Sequence, residues 1–236
     1  MSTQLRPDVG PLSAFRNEPY ADFSVASNRA AMEEALGRVR NQFGQEYDLM
    51  LGGRRRRLEE KLHSRNPSRS SETVGVHQMA GAAEAAQAVE DAADFFAEWS
   101  RTPPEERCRA LLRTADLIRR RKMEFDAWLV YEAGKTWIEA EADVSEAIDF
   151  CEYYAREMLR LAGPHPMLSL PGEQDELEYI PLGVGVVIAP WNFPLAILLG
   201  MTTATLVTGN TVVIKPSSDT PTIAARLAEV LLEAGF

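Results

Sequence analysis

Gly183-Val-Gly-Val-Val-Ile-Ala-Pro-Trp-Asn-Phe-Pro194, continuing through Gly209-Asn210 to Thr211-Val-Val-Ile-Lys215, decides the fold. Val184, Val186, Val187 and Ile188 form a nearly unbroken β-branched run, the pattern of a strand covered on both faces. Pro190 stops it, Asn192 and Phe193 fall in a turn, and Pro194 stands where a first helical residue belongs, since its missing N–H costs nothing there. The spacing predicts a helix from Leu195 to about Leu206 and a second strand over Thr211 to Ile214. A crossover of about twenty residues is too long for a hairpin and suits a right-handed helical connection between parallel strands. Lys215 then emerges at the same sheet edge as Asn192, where open α/β sheets bind ligands. The glycines Gly183 and Gly185 precede their strand, so they are not the dinucleotide fingerprint, whose glycines follow one.

No charged side chain occurs between Tyr179 and Ile214. A membrane hairpin is nevertheless disfavoured, because a spanning helix needs about 20 apolar residues in a row and Pro190, Asn192 and Pro194 interrupt the run. A plain buried sheet without a ligand remains the bland alternative, and an edge Asn beside Pro-Trp with a Lys on the next strand end tilts against it.

The 236 residues are 45% hydrophobic and 25% charged, with a net charge of −10, which is ordinary globular composition and argues against binding nucleic acid or anionic lipid. Arg54 to Arg57 form a basic run, but Glu59 and Glu60 follow at once, and a solvated or carboxylate-paired turn is the simpler reading. The N-terminus lacks the apolar core of a secretory signal, so a cytoplasmic or organelle-matrix location is the default. The two cysteines, Cys108 and Cys151, and the three histidines fall at no metal-ligand spacing, so neither a disulfide framework nor a metal site is expected.

In chain order, residues 1–44 read as an extended arm and a helix striped by Ala30, Met32, Leu36, Val39 and Phe43. Residues 45–163 are mainly helical, with a short strand at 47–51, a loop at 64–73 and a strand at 74–79. A helix over 82–99 shows its apolar face at Ala82, Ala86, Val89, Ala93 and Phe96. The next, opened by Pro103-Pro104, buries Cys108, Leu111, Leu112, Ala115 and Ile118. Helix is expected again over 124–162, broken at Gly134, with Cys151 in its apolar seam. Residues 167–170 and 177–180 read as a β-hairpin for oligomerisation within 164–182. Thr220 and Pro221 then cap a last helix in the parallel βαβα segment 183–236. Two parallel strands are less than half of a doubly wound sheet, so the last residue is expected to fall inside a domain and the chain to be an N-terminal portion.

The stretches 187–194, 209–216 and 233–236 resemble the aldehyde dehydrogenase superfamily. Phe15-Arg-Asn-Glu-Pro19, Tyr131-Glu-Ala-Gly-Lys-Thr-Trp137 and 142–156 are most similar to its branch acting on L-glutamate γ-semialdehyde. The resemblance implies an α/β fold: an N-terminal helical segment and the first half of a doubly wound, Rossmann-like sheet that binds NAD. It implies oxidation of a small aldehyde to a carboxylate, in which a cysteine thiolate attacks and the Asn192 amide holds the oxyanion. Hydride passes to the nicotinamide and a glutamate activates water. Lys215 matches the lysine that bonds the adenosine ribose; Ile188, Ala189, Pro190 and Trp191 match strand-end residues lining the cofactor. Ser218 stands where NAD-preferring relatives carry a glutamate, so NADP is expected to be tolerated. Glu132 and Phe193 match residues bordering the substrate cavity, although a solvated carboxylate and ordinary packing are the bland readings. Neither cysteine matches the nucleophile, so this chain alone is expected to be inactive. A non-catalytic cofactor-binding or oligomerisation fragment and a related dehydrogenase, such as one for succinate semialdehyde, remain open.

Overall fold

The computed structural model describes residues 12–168 and 170–236. Residues 1–11 of the expected arm, and Ser169 of the expected hairpin, lie outside the described residues. From Leu12 the arm has no regular structure until α1 (Ala26–Arg40), and it is held by side chains of the helical layer. Asn17 Nδ2 donates to Asp149 at 2.7 Å, the Glu18 N–H donates to the same carboxylate, and Arg119 pairs with Glu18 at 2.9 Å.

Three helices form nearly half of the core, α3 (Pro104–Arg120), α4 (Lys122–Ala133) and α5 (Trp137–Leu161), and the parallel unit with its helices supplies much of the rest. The expected stripes are buried in full along α5, where Ala140, Val144, Ala147, Ile148, Cys151 and Ala155 are inaccessible, and nearly so along α3. Gly134 terminates α4 at φ 68°, where a Cβ would also meet Pro67 Cγ at 3.0 Å. Thr136 and Glu139 then form a capping box that starts α5.

The parallel unit follows the expectation. β6 (Val184–Ile188) pairs in parallel with β7 (Thr211–Lys215), Val184 opposite Thr211 and Ile188 opposite Lys215, with α6 (Ala196–Val207) as the crossover. Asn210 Oδ1 accepts the N–H groups of Leu182 and Gly183 at 2.6 and 2.9 Å, fixing the start of β6 to the start of β7. α7 (Pro221–Ala234) completes the segment and ends at Gly235, φ 99°.

Five readings need correction. The loop expected at 64–73 is a second antiparallel pair, β4 (Lys61–Asn66) with β5 (Arg69–Gln78), turned at Pro67-Ser68, and β1 (Gln45–Tyr47) adds to β5 in parallel. Polar residues alternate there with half-buried ones, and the many serines and arginines mask the period. The arginine run expected as a turn is a strand: β3 (Arg54–Arg56), exposed as expected, pairs with β2 (Leu49–Leu51) across Gly52-Gly53, both at positive φ, the geometry of a two-residue hairpin turn, and Arg57 pairs with Asp48 at 2.8 Å. Residues 167–168, 170 and 177–180 carry no strand and are mostly exposed, because a lone hairpin has no core to hold it. In α2 (Ala82–Trp99) no residue is buried: of the expected stripe only Phe96 is half-buried, while Ala82, Ala86, Val89 and Ala93 are exposed, and Ala88, Ala92 and Trp99 are the half-buried apolar positions beside it, with Trp99 donating to Leu206 O at 3.2 Å. Finally, β6 is covered on one face only: Val187 is buried against the α6 side, while Val186 and Ile188 are 56% and 65% exposed.

Candidate active site

The period-2 alternation of β6 explains which side chains meet. Ile188 and Val186 face an apolar cleft of about 850 Å³ bounded by β7, α2, β2 and α7, and Lys215, Ser217 and Ser218 stand along its rim. Val187 and Ala189 turn the other way, and Ala189 is buried. Of the residues matched to cofactor binding, therefore, Ile188, Lys215 and Ser218 line one cleft, while Ala189, Pro190 and Trp191 lie outside its walls. The expectation that Asn192 and Lys215 share that cleft is corrected in part: they leave the same end of parallel neighbours, but Asn192 sits four residues past the end of β6, in an exposed turn beyond the lining.

Lys215 Nζ donates to Pro216 O at 2.9 Å and is exposed, which leaves further ammonium donors available. Trp191 is 58% exposed. The turn itself is held from outside. Asp143, buried on α5, accepts the Ala196 N–H at 2.7 Å and binds Lys135 at 2.9 Å, and the Lys135 ammonium lies 4.1 Å from the centroid of the Phe193 ring. Burial pushes the Asp143 carboxyl upward in pKa, opposed by Lys135 and by the N–H groups of Ala196 and Leu195. Glu146, one helical turn along α5 from Asp143, is exposed; its pKa is raised by desolvation, then by Asp143, against Lys135. Phe193 thus sits against this charged cluster rather than in ordinary core.

Glu132 is not a solvated carboxylate. It is 3% exposed, and its oxygens accept from Ser64 Oγ at 2.6 Å, Thr222 N–H at 2.7 Å and Ile223 N–H at 2.8 Å. The two backbone donors belong to the first turn of α7 and Ser64 to β4, so Glu132 caps that helix from a distance. Thr220, expected as the cap, makes no side-chain cap bond. Asp143 accepts one N–H at the start of α6, so the positive ends of both sheet helices face protein carboxylates.

Asp143, Lys135 and Glu146 were missed by reading the sequence. The available signal was Asp143 itself, an acid inside the seam of Ala140, Val144 and Ala147, where a charge survives only with partners. Cys108 and Cys151 are free and fully buried; burial pushes the Cys108 thiol up to about 12 and raises Cys151 as well. Among the described residues no group of three or more His, Cys, Asp or Glu is placed to hold a metal, and no helix is long and apolar enough to cross a membrane.

Residues 54–236 match the model of the aldehyde dehydrogenase family. The chain is 52% identical over 222 residues to a 1-pyrroline-5-carboxylate dehydrogenase of Geobacillus thermodenitrificans, a match covering 94% of this chain and 43% of that protein. The solved 1-pyrroline-5-carboxylate dehydrogenase from Thermus with bound NAD superimposes with a TM-score of 0.92 at 50% identity, over 95% of this chain and 44% of its own. The Mycobacterium tuberculosis Δ-pyrroline-5-carboxylate dehydrogenase bound with NAD gives 0.89 at 29% identity, over 98% and 44%. This chain therefore spans less than half the length of the relatives it matches, and with its parallel β6–α6–β7 unit and the motif-bearing turns at Asn192 and Lys215 it belongs to the aldehyde dehydrogenase family.

Proposed function

We propose that this chain is the cofactor-facing portion of an NAD-dependent dehydrogenase that oxidises L-glutamate γ-semialdehyde to L-glutamate in proline degradation. The observation that carries the reading is the in-register pair Ile188 and Lys215, which brings a hydrophobic side chain and an ammonium to one cleft while the Asn192 turn leaves the same strand end. The residues present fit the adenosine half of NAD. Apolar walls at Val186, Ile188, Ala224 and Ala228 suit an adenine ring, and Lys215 with Ser218 offers donors to ribose hydroxyls. With no carboxylate at Ser218 to repel a 2′-phosphate, NADP is tolerated. The cofactor, when bound, supplies the hydride acceptor. Asn192, exposed and uncharged, supplies an amide donor aimed at a developing alkoxide, a type of contact worth about 2.7–4 kcal/mol of barrier.

Phe193 borders the aldehyde side of this turn, and Glu132 borders the substrate cavity from α4. A second copy of the chain is the partner for 167–182, where Leu168, Ile180 and Leu182 are 76%, 70% and 93% exposed. The buried, unactivated cysteines favour one further reading, a half that binds cofactor without turning over aldehyde, in a reducing compartment such as the cytoplasm.

Calorimetric titration of NAD into the chain tests the proposal. Saturable binding that Lys215→Ala weakens by about tenfold, equivalent to about 1.4 kcal/mol, is the expected result. An absence of saturable binding up to millimolar NAD overturns it, and NADH production from glutamate semialdehyde by this chain alone overturns the inactive-half reading.

A further inference from the structure

Asn192 is exposed and lies in a turn between a strand end and a helix start, yet an oxyanion donor has to be aimed before the reaction begins. What aims it comes from α4 and α5. Lys135 occupies the short connection between those helices, with its backbone set on both sides: Gly134 before it is in the left-handed region, and Thr136 after it opens the α5 capping box. Its side chain is only 10% exposed, so the ammonium is carried into the protein, where Asp143 meets it at 2.9 Å. The other Asp143 oxygen accepts Ala196 N–H in the first turn of α6. The same ammonium lies 4.1 Å from the Phe193 ring centroid, a distance at which a partly desolvated cation is attracted to an aromatic face. The peptide segment 192–196 is therefore gripped twice, through a ring and through a backbone N–H, by one ion pair.

We infer that Lys135 and Asp143 form the positioning pair for the Asn192 turn, holding it at the direction in which its amide would meet substrate oxygen. The inference deepens the reading of Asn192 as an oxyanion donor and rests on it. Both residues act through Phe193 and α6, not by touching substrate.

Nitrogen-15 relaxation on the whole chain tests it. In the wild type the amides of 191–193 are expected in the rigid range, with order parameters of about 0.85, and the Lys135 side-chain resonances shifted upfield by the Phe193 ring. Lys135→Met with Asp143→Asn removes the pair without leaving a buried charge unpaired; the turn is expected to fall below about 0.6 while the rest of α5 stays rigid. Lys135→Arg is expected to restore order, and Phe193→Leu to abolish the upfield shift in a folded chain. A turn that stays rigid in the double variant, or is already mobile in the wild type, overturns the inference. Failure of NAD to bind would instead overturn the functional reading and would leave these relaxation results standing.

Discussion

Glu132 on α4 accepts the backbone N–H of Ile223 at 2.8 Å, ninety-one positions away, and so fixes where α7 begins. His77 adds a second tie to the same turn through a 2.9 Å contact with Thr222 Oγ1. The helical layer and the sheet segment are thereby joined at the edge from which Lys215 and Ser218 reach the cleft, and joined by polar bonds whose partners cannot be exchanged for water.

Glu132→Ala is expected to destabilise the chain by about 3 kcal/mol, because it strips two backbone N–H groups and a buried hydroxyl of a charged acceptor. Glu132→Gln keeps one acceptor oxygen and is expected to lose about half of that. Urea unfolding of the three proteins checks the order. Equal midpoints for wild type and Glu132→Ala would remove the capping role.

Ser218→Glu should change which cofactor the cleft accepts. Ser218 is exposed on the rim beside Lys215, and a carboxylate there can take two ribose hydroxyls but repels a 2′-phosphate. The expected outcome is NADP binding weakened by at least tenfold with NAD binding unchanged or tighter, read by titrating each in turn. An unaltered ratio of the two dissociation constants sinks the assignment of Ser218.

Much of this architecture was readable because the signals were local and strong. The β-branched runs around Pro190 and Gly209 fixed the parallel pair, and the apolar seams of α3 and α5 fixed both cysteines as core. The β4–β5 pair was missed because its strands carry serine and arginine on the solvent face. At the site, Lys215 and Asn192 were legible as motif residues, whereas the role of Glu132 was not. Its carboxylate is buried by contacts from Ser64, Thr222 and Ile223, three partners supplied by β4 and α7, and no helical periodicity reports such neighbours.

Asp126, fully buried on α4, should give stability an unusual pH slope. Burial first, and then the nearby Glu141 carboxylate, push its pKa up to about 9, with Asp143 adding in the same sense and Lys122 opposing. The folded chain then holds a proton that the unfolded chain, with the ordinary aspartate value of 3.8, has released. This contribution is complete below the unfolded value and is lost as pH rises toward about 9, by at most about 1.4 kcal/mol per unit. Asp126→Asn carries no such proton, so its stability relative to wild type should grow between pH 6 and pH 8.5. Parallel urea midpoints across that range would show that Asp126 is ionised in the fold.

Gly200 tests how tightly the sheet helix is seated on the helical layer. A Cβ there would stand 2.9 Å from Phe150 Cδ2 and 3.1 Å from Cγ, atoms near the root of a ring that also stacks on Tyr154 at 5.5 Å. In an open helix Gly→Ala gains about 1 kcal/mol from propensity, whereas forcing a methyl into a packed contact costs about 1–3 kcal/mol. Since the ring root cannot swing away as a flexible side-chain tip would, the second effect should win, and Gly200→Ala is expected to be destabilising. Phe150→Ala removes the clashing atoms and should relieve the clash, making the double variant more stable than the sum of the two single changes predicts. Strict additivity in urea unfolding, or a stabilising Gly200→Ala, would mean that α6 does not lie against α5 at this distance, and the line by which Asp143 reaches the start of α6 would have to be redrawn.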